Sequence, residues 1–209
     1  MKVLLAENHE IVRYAVKNLL LNRYPEVEVT EATNSMELES IGLSEDFDII
    51  ITEISLLGEN VISCLKKILK KSRLTQIIVL STYSPRLYAA RLFKIGVGSY
   101  ITKDNDSLEL MTAVKMALIQ KRYIAPNVVE FLVESFQSNH DDPYLKLSLK
   151  EFEIFKMIAM GKAISEIAAL LSLSSTVIST YRCRILKKMG VSNNYDIIQH
   201  AISHGIGAC

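Results

Sequence analysis

Histidine and cysteine, the residues from which metal and disulfide sites are built, are scarce in this chain of 209 residues, with four of the first and three of the second. Cys64, Cys183 and Cys209 are odd in number, far apart and without the paired spacing of a zinc or redox site, so they read as free thiols in a reducing cytoplasm. No two histidines stand at metal-ligand spacing on an expected helix, which leaves no metal signal. Long apolar runs are missing too. No stretch approaches membrane-spanning length, so no membrane partner is expected, and the apolar run at residues 1–6 is ended by Glu7 well short of a signal peptide. Internal repeats and low-complexity tracts are lacking as well. What is present, 49% hydrophobic and 22% charged residues, is the composition of a folded protein and excludes intrinsic disorder. The length suits two domains of modest size.

The formal net charge is only +1, but it is unevenly held. Residues 1–142 carry 16 Lys/Arg against 19 Asp/Glu, and residues 143–209 carry 8 against 4. An acidic front is thus joined to a basic tail piece, and only the tail has the sign to meet a polyanion.

The front is organised around residues 48–55. Ile49, Ile50 and Ile51 are β-branched and apolar without alternation, the pattern of a strand covered on both faces in a parallel sheet between helices. Val3-Leu4-Leu5, residues 76–81 and residues 100–103 read as further short strands, and Val27 and Val29 alternate as one more. Between them, Ile11, Val12, Ala15, Val16, Leu19 and Leu20 recur at helical spacing up to Pro25. Asn34 with Glu37 opens a second helix. A Gly58 turn and an Asn60 cap precede a third, whose Val61, Ile62, Leu65, Ile68 and Leu69 share a face. Ser84 caps a fourth with Pro85 in its first turn and Gly96 at its end, and Asp106 with Glu109 opens a fifth. Five βα units in succession predict an α/β fold of flavodoxin-like type, doubly wound on a five-stranded parallel sheet. The strand ends then gather Glu7, Asn8, Glu53, Ser81 and Lys103 on one rim, where such folds hold their sites.

On these residues the chain at positions 1–122 resembles the receiver domain of response regulators of the NarL/FixJ class, the BvgA/EvgA-like proteins in particular. The resemblance aligns Glu7 and Asn8 with an acidic pair that binds magnesium, Glu53 with the phosphoacceptor aspartate and Leu57 with a proline. It aligns Ser81 with the hydroxyl switch residue, Tyr100 with the switch aromatic and Lys103 with an invariant lysine. Two of the three acidic positions are altered. Glu53 carries an extra methylene that moves its carboxylate into the space of phosphoryl oxygens, and Asn8 removes a metal-binding charge. The resemblance therefore implies an atypical receiver: weak or absent Mg²⁺ binding, no other cofactor, no enzymatic activity and no physiological phosphoryl transfer. Glu53 is expected to stand in for the phosphorylated state, reaching toward Lys103 and Ser81 with one negative charge where a phosphoryl group brings up to two. The alternatives are a degenerate pocket kept as a dimerisation scaffold and a rim switched by a small ligand, a partner protein or residual phosphorylation. The sequence does not decide whether a sensor kinase docks.

From residue 123 the pattern changes. Tyr123-Ile124-Ala125-Pro126 ends the last unit, residues 128–136 read as one more short helix, and residues 138–143 form a polar, turn-rich stretch, so a linker is drawn over 123–146. The basic piece follows at 147–209. Ser148 and Glu151 form a capping box before Phe152, Phe155, Ile158 and Ala159, with Gly161 as the stop. A short helix over 164–171, the turn Ser172-Leu173-Ser174, and a helix to Gly190 make a helix-turn-helix. On the last of these, Ile178, Tyr181, Ile185 and Met189 form the core face. Thr176, Ser179, Thr180, Cys183 and Lys187 lie opposite, with Arg184 on the flank and Lys188 at the end. Small polar groups early and cations late suit base edges and then phosphates.

Residues 147–204 resemble the LuxR-type helix-turn-helix: Leu147 to Glu153 as the opening motif, Ile167-Ala168 on the second helix, Val177 to Met189 as the recognition helix, Gly190-Val191 as the turn. Ser179 stands where that family often has a lysine. The resemblance implies a cytoplasmic transcription regulator that binds double-stranded DNA as a homodimer. Its last helix, Tyr195 to His204, would use part of Ile197, Ile198, Ala201 and Ile202 for a partner.

Overall fold

A computed structural model of the chain describes residues 1–56, 61–137, 143, 144 and 146–203. The expected Gly58 turn and Asn60 cap, Leu57, residues 138–142, His204 and Cys209 lie outside the described residues. The chain divides into two compact units, Met1–Val133 and Glu134–Cys209.

In the first unit strands and helices alternate: β1 (Lys2–Ala6), α1 (Glu10–Arg23), β2 (Glu28–Ala32), α2 (Ser35–Ser44), β3 (Ile49–Thr52), α3 (Val61–Lys71), β4 (Gln76–Ser81), α4 (Pro85–Ile95), β5 (Ser99–Thr102), α5 (Ser107–Leu118) and β6 (Tyr123–Ile124), followed by α6 (Pro126–Gln137), which begins in this unit and ends in the next. The strands form one sheet in the order β2-β1-β3-β4-β5-β6, with every pairing parallel. Parallel neighbours require crossovers, and the helices supply them. Ile49, Ile50 and Ile51 of β3 lie beside Val3, Leu4 and Leu5 on one side and Gln76, Ile77 and Ile78 on the other. All three isoleucines are fully buried, each contributing about 1.5–3 kcal/mol by leaving water.

The sheet has six strands where five were expected. β6 is only two residues long, too short to carry a period-2 signal, and it extends the ladder beside Ser99 and Tyr100 into the stretch read as linker. The helix starts follow the expected signals. Asn34 accepts from the Glu37 N–H at 2.9 Å, Ser84 precedes Pro85 and accepts from Arg86, and Asp106 accepts from Leu108 at 3.1 Å. Gly96 ends α4 at φ 110°, a left-handed conformation that suits glycine.

One expectation for α1 fails. Val16 and Leu20 are buried, but Ile11 is 84% exposed. Ile11 lies about 140° round the helix from Val16, outside the stripe that a helix on a sheet can cover.

The second unit holds α7 (Leu149–Ala159), α8 (Ile164–Leu170), α9 (Ser175–Met189) and α10 (Asn194–Ser203). Phe152, Phe155, Ile158, Ile167, Ile178, Ile185, Met189, Ile197 and Ala201 form its core, with Tyr144 packed edge-on against both phenylalanines. Tyr181, expected in that core, is only half-buried, because its ring sits at the edge of the α9 stripe beside Arg184. Among the described residues no single helix is long and apolar enough to cross a membrane.

Both halves of the capping box at α7 are present. Glu151 accepts from the Ser148 N–H at 2.7 Å, and Ser148 Oγ accepts from Glu151 N. The same buried carboxylate accepts from Lys188 Nζ at 2.6 Å. Burial alone would raise the Glu151 carboxyl, but the Lys188 ammonium and the Ser148 hydrogen bonds outweigh it and hold it below the ordinary glutamate value. A carboxyl depressed in the folded state gives stability that is complete above its unfolded value and is lost as pH falls through the folded one. We therefore expect the helical signal of the wild-type chain to lose more thermal stability between about pH 5 and about pH 3 than that of Glu151→Gln, by circular dichroism. Identical acid slopes would remove Glu151 from the account.

Candidate functional site

The carboxyl ends of β1, β3, β4 and β5 converge, and the parallel register explains why. Ala6 lies beside Thr52, Thr52 beside Val79, and Ser81 beside Thr102. The residues just beyond each strand, Glu7, Glu53 and Lys103, are thereby brought to one rim with Ser81. Lys103 Nζ stands 2.7 Å from Glu7 Oε2 and 2.8 Å from Glu53 Oε2. Ser81 donates to Glu53 Oε1 at 2.6 Å, and the same oxygen accepts from the backbone N–H of Ile54 at 2.5 Å and of Ser55 at 3.1 Å. Glu7 Oε1 faces the His9 N–H at 2.8 Å and His9 Nδ1 at 2.9 Å.

Glu7 and Glu53 are 2% and 1% exposed, so their charges are removed from water and depend on these partners. Partial burial by itself would lower the Lys103 ammonium, but the adjoining Glu53 and Glu7 carboxylates reverse that and hold it above the ordinary lysine value.

The network continues toward α4. Ser81 Oγ accepts from Tyr83 N at 3.3 Å, and Tyr100 donates its hydroxyl to Tyr83 O at 2.8 Å. The Tyr100 ring is fully buried. Burial pushes its hydroxyl well above the ordinary tyrosine range, and the Glu53 charge adds to the effect.

Of the six rim residues singled out in the sequence, Glu7, Glu53, Ser81 and Lys103 are in direct contact and Tyr100 joins through Tyr83. Asn8 stands apart. Its Oδ1 is buried with no hydrogen-bond partner among the described residues. His9 and Tyr83 are participants that sequence reasoning missed. His9 enters through its backbone N–H and Nδ1 beside Glu7, a contact that metal-ligand spacing does not detect, and Tyr83 enters through its backbone, where the side chain carries no signal.

In the second unit α8 and α9 meet at a bend of 112°, within the range of a helix-turn-helix. Ser174 caps α9, accepting from Val177 N, and Gly190 ends it at φ 69°. Thr176, Ser179, Thr180, Cys183, Arg184, Lys187 and Lys188 are all exposed. They are not equally free. Lys188 is ion-paired to Glu151, and Arg184 lies 5.9 Å from the centre of the Tyr181 ring. Arg182, half-buried and not singled out in the sequence, donates to Asn194 Oδ1 at 2.5 Å. No sequence signal could pair Lys188 with Glu151, which is 37 positions away.

Comparison with known proteins follows the same division. Residues 3–115 match the response regulator receiver domain, and residues 145–201 match the bacterial regulatory proteins of the luxR family. The chain is 26% identical over 207 residues to the response regulator GacA of Pseudomonas aeruginosa, covering 98% of this chain and 97% of that one. It is 26% identical over 211 residues to the oxygen regulatory protein NreC of Staphylococcus carnosus, covering 97% of each. Among solved structures, RcsB of Salmonella enterica serovar Typhimurium bound to promoter rprA with the phosphomimetic BeF3⁻ shares the fold at a TM-score of 0.75, with 23% identity over 100% of this chain and 99% of that one. The chain belongs to the response regulators, with a receiver domain followed by a regulatory domain of the luxR family.

Proposed function

We propose that this DNA-binding regulator, a transcription factor and not an enzyme, works as a cytoplasmic homodimer on double-stranded DNA with a receiver set by Glu53 and not by phosphorylation. Its working parts are a receiver over residues 1–122 with β6 added to its sheet, a linker through 146, and a helix-turn-helix over 147–209. The observation that carries the reading is the engagement of Glu53. Oε1 accepts from Ser81, Ile54 and Ser55, and Oε2 is paired with Lys103. A nucleophile needs an available oxygen aimed at its donor.

The donor set also argues against magnesium. Both oxygens of Glu7 are committed to Lys103 and His9, both oxygens of Glu53 are committed as above, and Asn8, whose buried Oδ1 makes no hydrogen bond among the described residues, offers only a neutral amide. An ion that demands near-octahedral oxygen coordination does not fit these residues. No cofactor is needed, and no sensor kinase is needed to set the rim.

For DNA, Thr176, Ser179, Thr180 and Cys183 form an exposed face of small groups suited to base edges, with Arg184 and Lys187 beyond them. Dimerisation is supported by apolar side chains left on helix faces. Ile11 (84% exposed) and Tyr14 (71%) project from α1, and Tyr195 (67%) and Ile202 (64%) are two turns apart on α10. Antiparallel pairing of two α1 helices would set Glu10, in the first turn, against Arg23, in the last.

A second reading, a rim answering to a small ligand, is favoured by a largely apolar cavity of about 250 Å³ between α1 and α5, lined by Ile11, Val12, Val16, Ile101, Leu110 and Lys103.

Gel shift with promoter fragments should show binding that weakens steeply as salt rises, and no salt-sensitive binding would end the DNA reading. After incubation with acetyl phosphate and Mg²⁺, intact mass should be unchanged, whereas a phosphoryl adduct on the first unit would restore an ordinary switch. In analytical ultracentrifugation, Tyr14→Asp should shift the dimer toward monomer, and Glu53→Ala should weaken dimerisation. A full dimer in Glu53→Ala would leave the rim without a role in assembly, and a full dimer in Tyr14→Asp would remove α1 as the interface.

A further inference from the structure

We propose that Arg182 and Lys188 are positioning residues that brace the recognition helix α9 from both sides, leaving Arg184 and Lys187 as its cations for DNA phosphate. This rests on the DNA-binding reading. Residues 182–188 contain four cations, Arg182, Arg184, Lys187 and Lys188, and the basic end of a helix in this position would ordinarily be taken as one phosphate-contacting patch.

The contacts divide them. Lys188 Nζ lies 2.6 Å from Glu151 Oε2, a side chain only 4% exposed whose carboxylate also holds the Ser148 N–H at the start of α7. Arg182 Nε donates to Asn194 Oδ1 at 2.5 Å, at the start of α10. One brace therefore ties α9 to the start of α7, the other to the start of α10. Moving Lys188 to a solvent-screened phosphate would leave Glu151 buried without its counter-ion, and a removed partner of a buried charge costs more than an exposed contact returns. Arg184 and Lys187 carry no such tie. Both are exposed, three residues apart and hence on one side of the helix; Arg184 rests beside the Tyr181 ring, and Lys187 has no hydrogen-bond or ion-pair partner among the described residues.

A phosphate contact and a brace differ in the salt dependence they produce. Each neutralised phosphate adds about 0.9 to the slope of log affinity against log salt, whereas a brace changes affinity at every salt and leaves the slope alone. The experiment uses the full-length chain and a short fluorescein-labelled duplex selected by this protein from a random-sequence pool, read by anisotropy across a salt series. Arg184→Ala and Lys187→Ala should each flatten the slope by about 0.9. Lys188→Met and Arg182→Met should weaken binding several-fold at an unchanged slope. Glu151→Gln should repeat the Lys188→Met loss, and the double variant should be no weaker than either alone. Lys188→Arg should retain binding.

Circular dichroism confirms folding at the binding temperature. If Lys188→Met does not fold, Glu151→Gln carries the comparison, because its amide oxygen can still accept from Ser148. A slope flattened by Lys188→Met or Arg182→Met as by Lys187→Ala, or an affinity untouched by Glu151→Gln, would overturn the assignment. A wild-type chain without salt-sensitive binding would instead fail the DNA reading itself.

Discussion

The ammonium of Lys103, held between the carboxylates of Glu7 and Glu53 at 2.7 Å and 2.8 Å, is the interaction on which the receiver rim depends. Two carboxylates this deeply buried have lost most of their contact with water, and Lys103 is the cation that both share. The cation comes from the end of β5, the carboxylates from the ends of β1 and β3, and only the parallel register of the sheet brings the three together. Once they meet, the remaining oxygen of each carboxylate is taken up locally, by His9 on one side and by Ser81 with two backbone amides on the other. The result is a closed circuit of charge, which suits a fixed support better than a reacting centre.

The second unit solves a related problem with the same chemistry. Glu151 begins as a local capping residue and ends as the counter-ion of Lys188, so a helix-start signal and a tertiary contact fall on one carboxylate. Its cap with Ser148 spans three residues and its ion pair spans 37. The position of α9 thus depends on the same group that starts α7. In both units a carboxylate removed from water is paired with a cation distant in sequence.

That difference in range explains what could be read from the sequence. Local signals survived well: the caps Asn34, Ser84, Asp106 and Ser148, the glycine stops at 96 and 190, and the doubly buried run of β3 all appear in the structure. The rim was legible because strand ends of a parallel sheet converge by topology, so Glu7, Glu53, Ser81 and Lys103 could be grouped without knowing any distance. What escaped was either too short for periodicity or too distant for pairing. β6 has two residues and no alternation to detect. Ile11 fits a helical spacing yet lies on the uncovered side of α1, because periodicity finds a helix but not the width of the stripe its sheet will bury. Lys188 reads as a free cation until Glu151 is found beside it.

The proposed stand-in for a phosphoryl group is then a matter of reach more than charge. Glu53 contributes one negative charge against up to two, and it shares Lys103 with Glu7, so electrostatics alone would make it a weak substitute. Its extra methylene compensates in position. The carboxylate reaches Ser81 at 2.6 Å, Ser81 in turn accepts from Tyr83 N, and the Tyr83 carbonyl holds the buried Tyr100 hydroxyl. The first and last links are short at 2.6 Å and 2.8 Å and the middle one is longer at 3.3 Å, in a site from which water is largely excluded, where hydrogen bonds are stronger than on the surface and reinforce one another. A single well-placed acceptor at the head of that chain can therefore bias the β4–α4 segment and Tyr100 toward one arrangement, even though it brings half the charge of the group whose position it occupies.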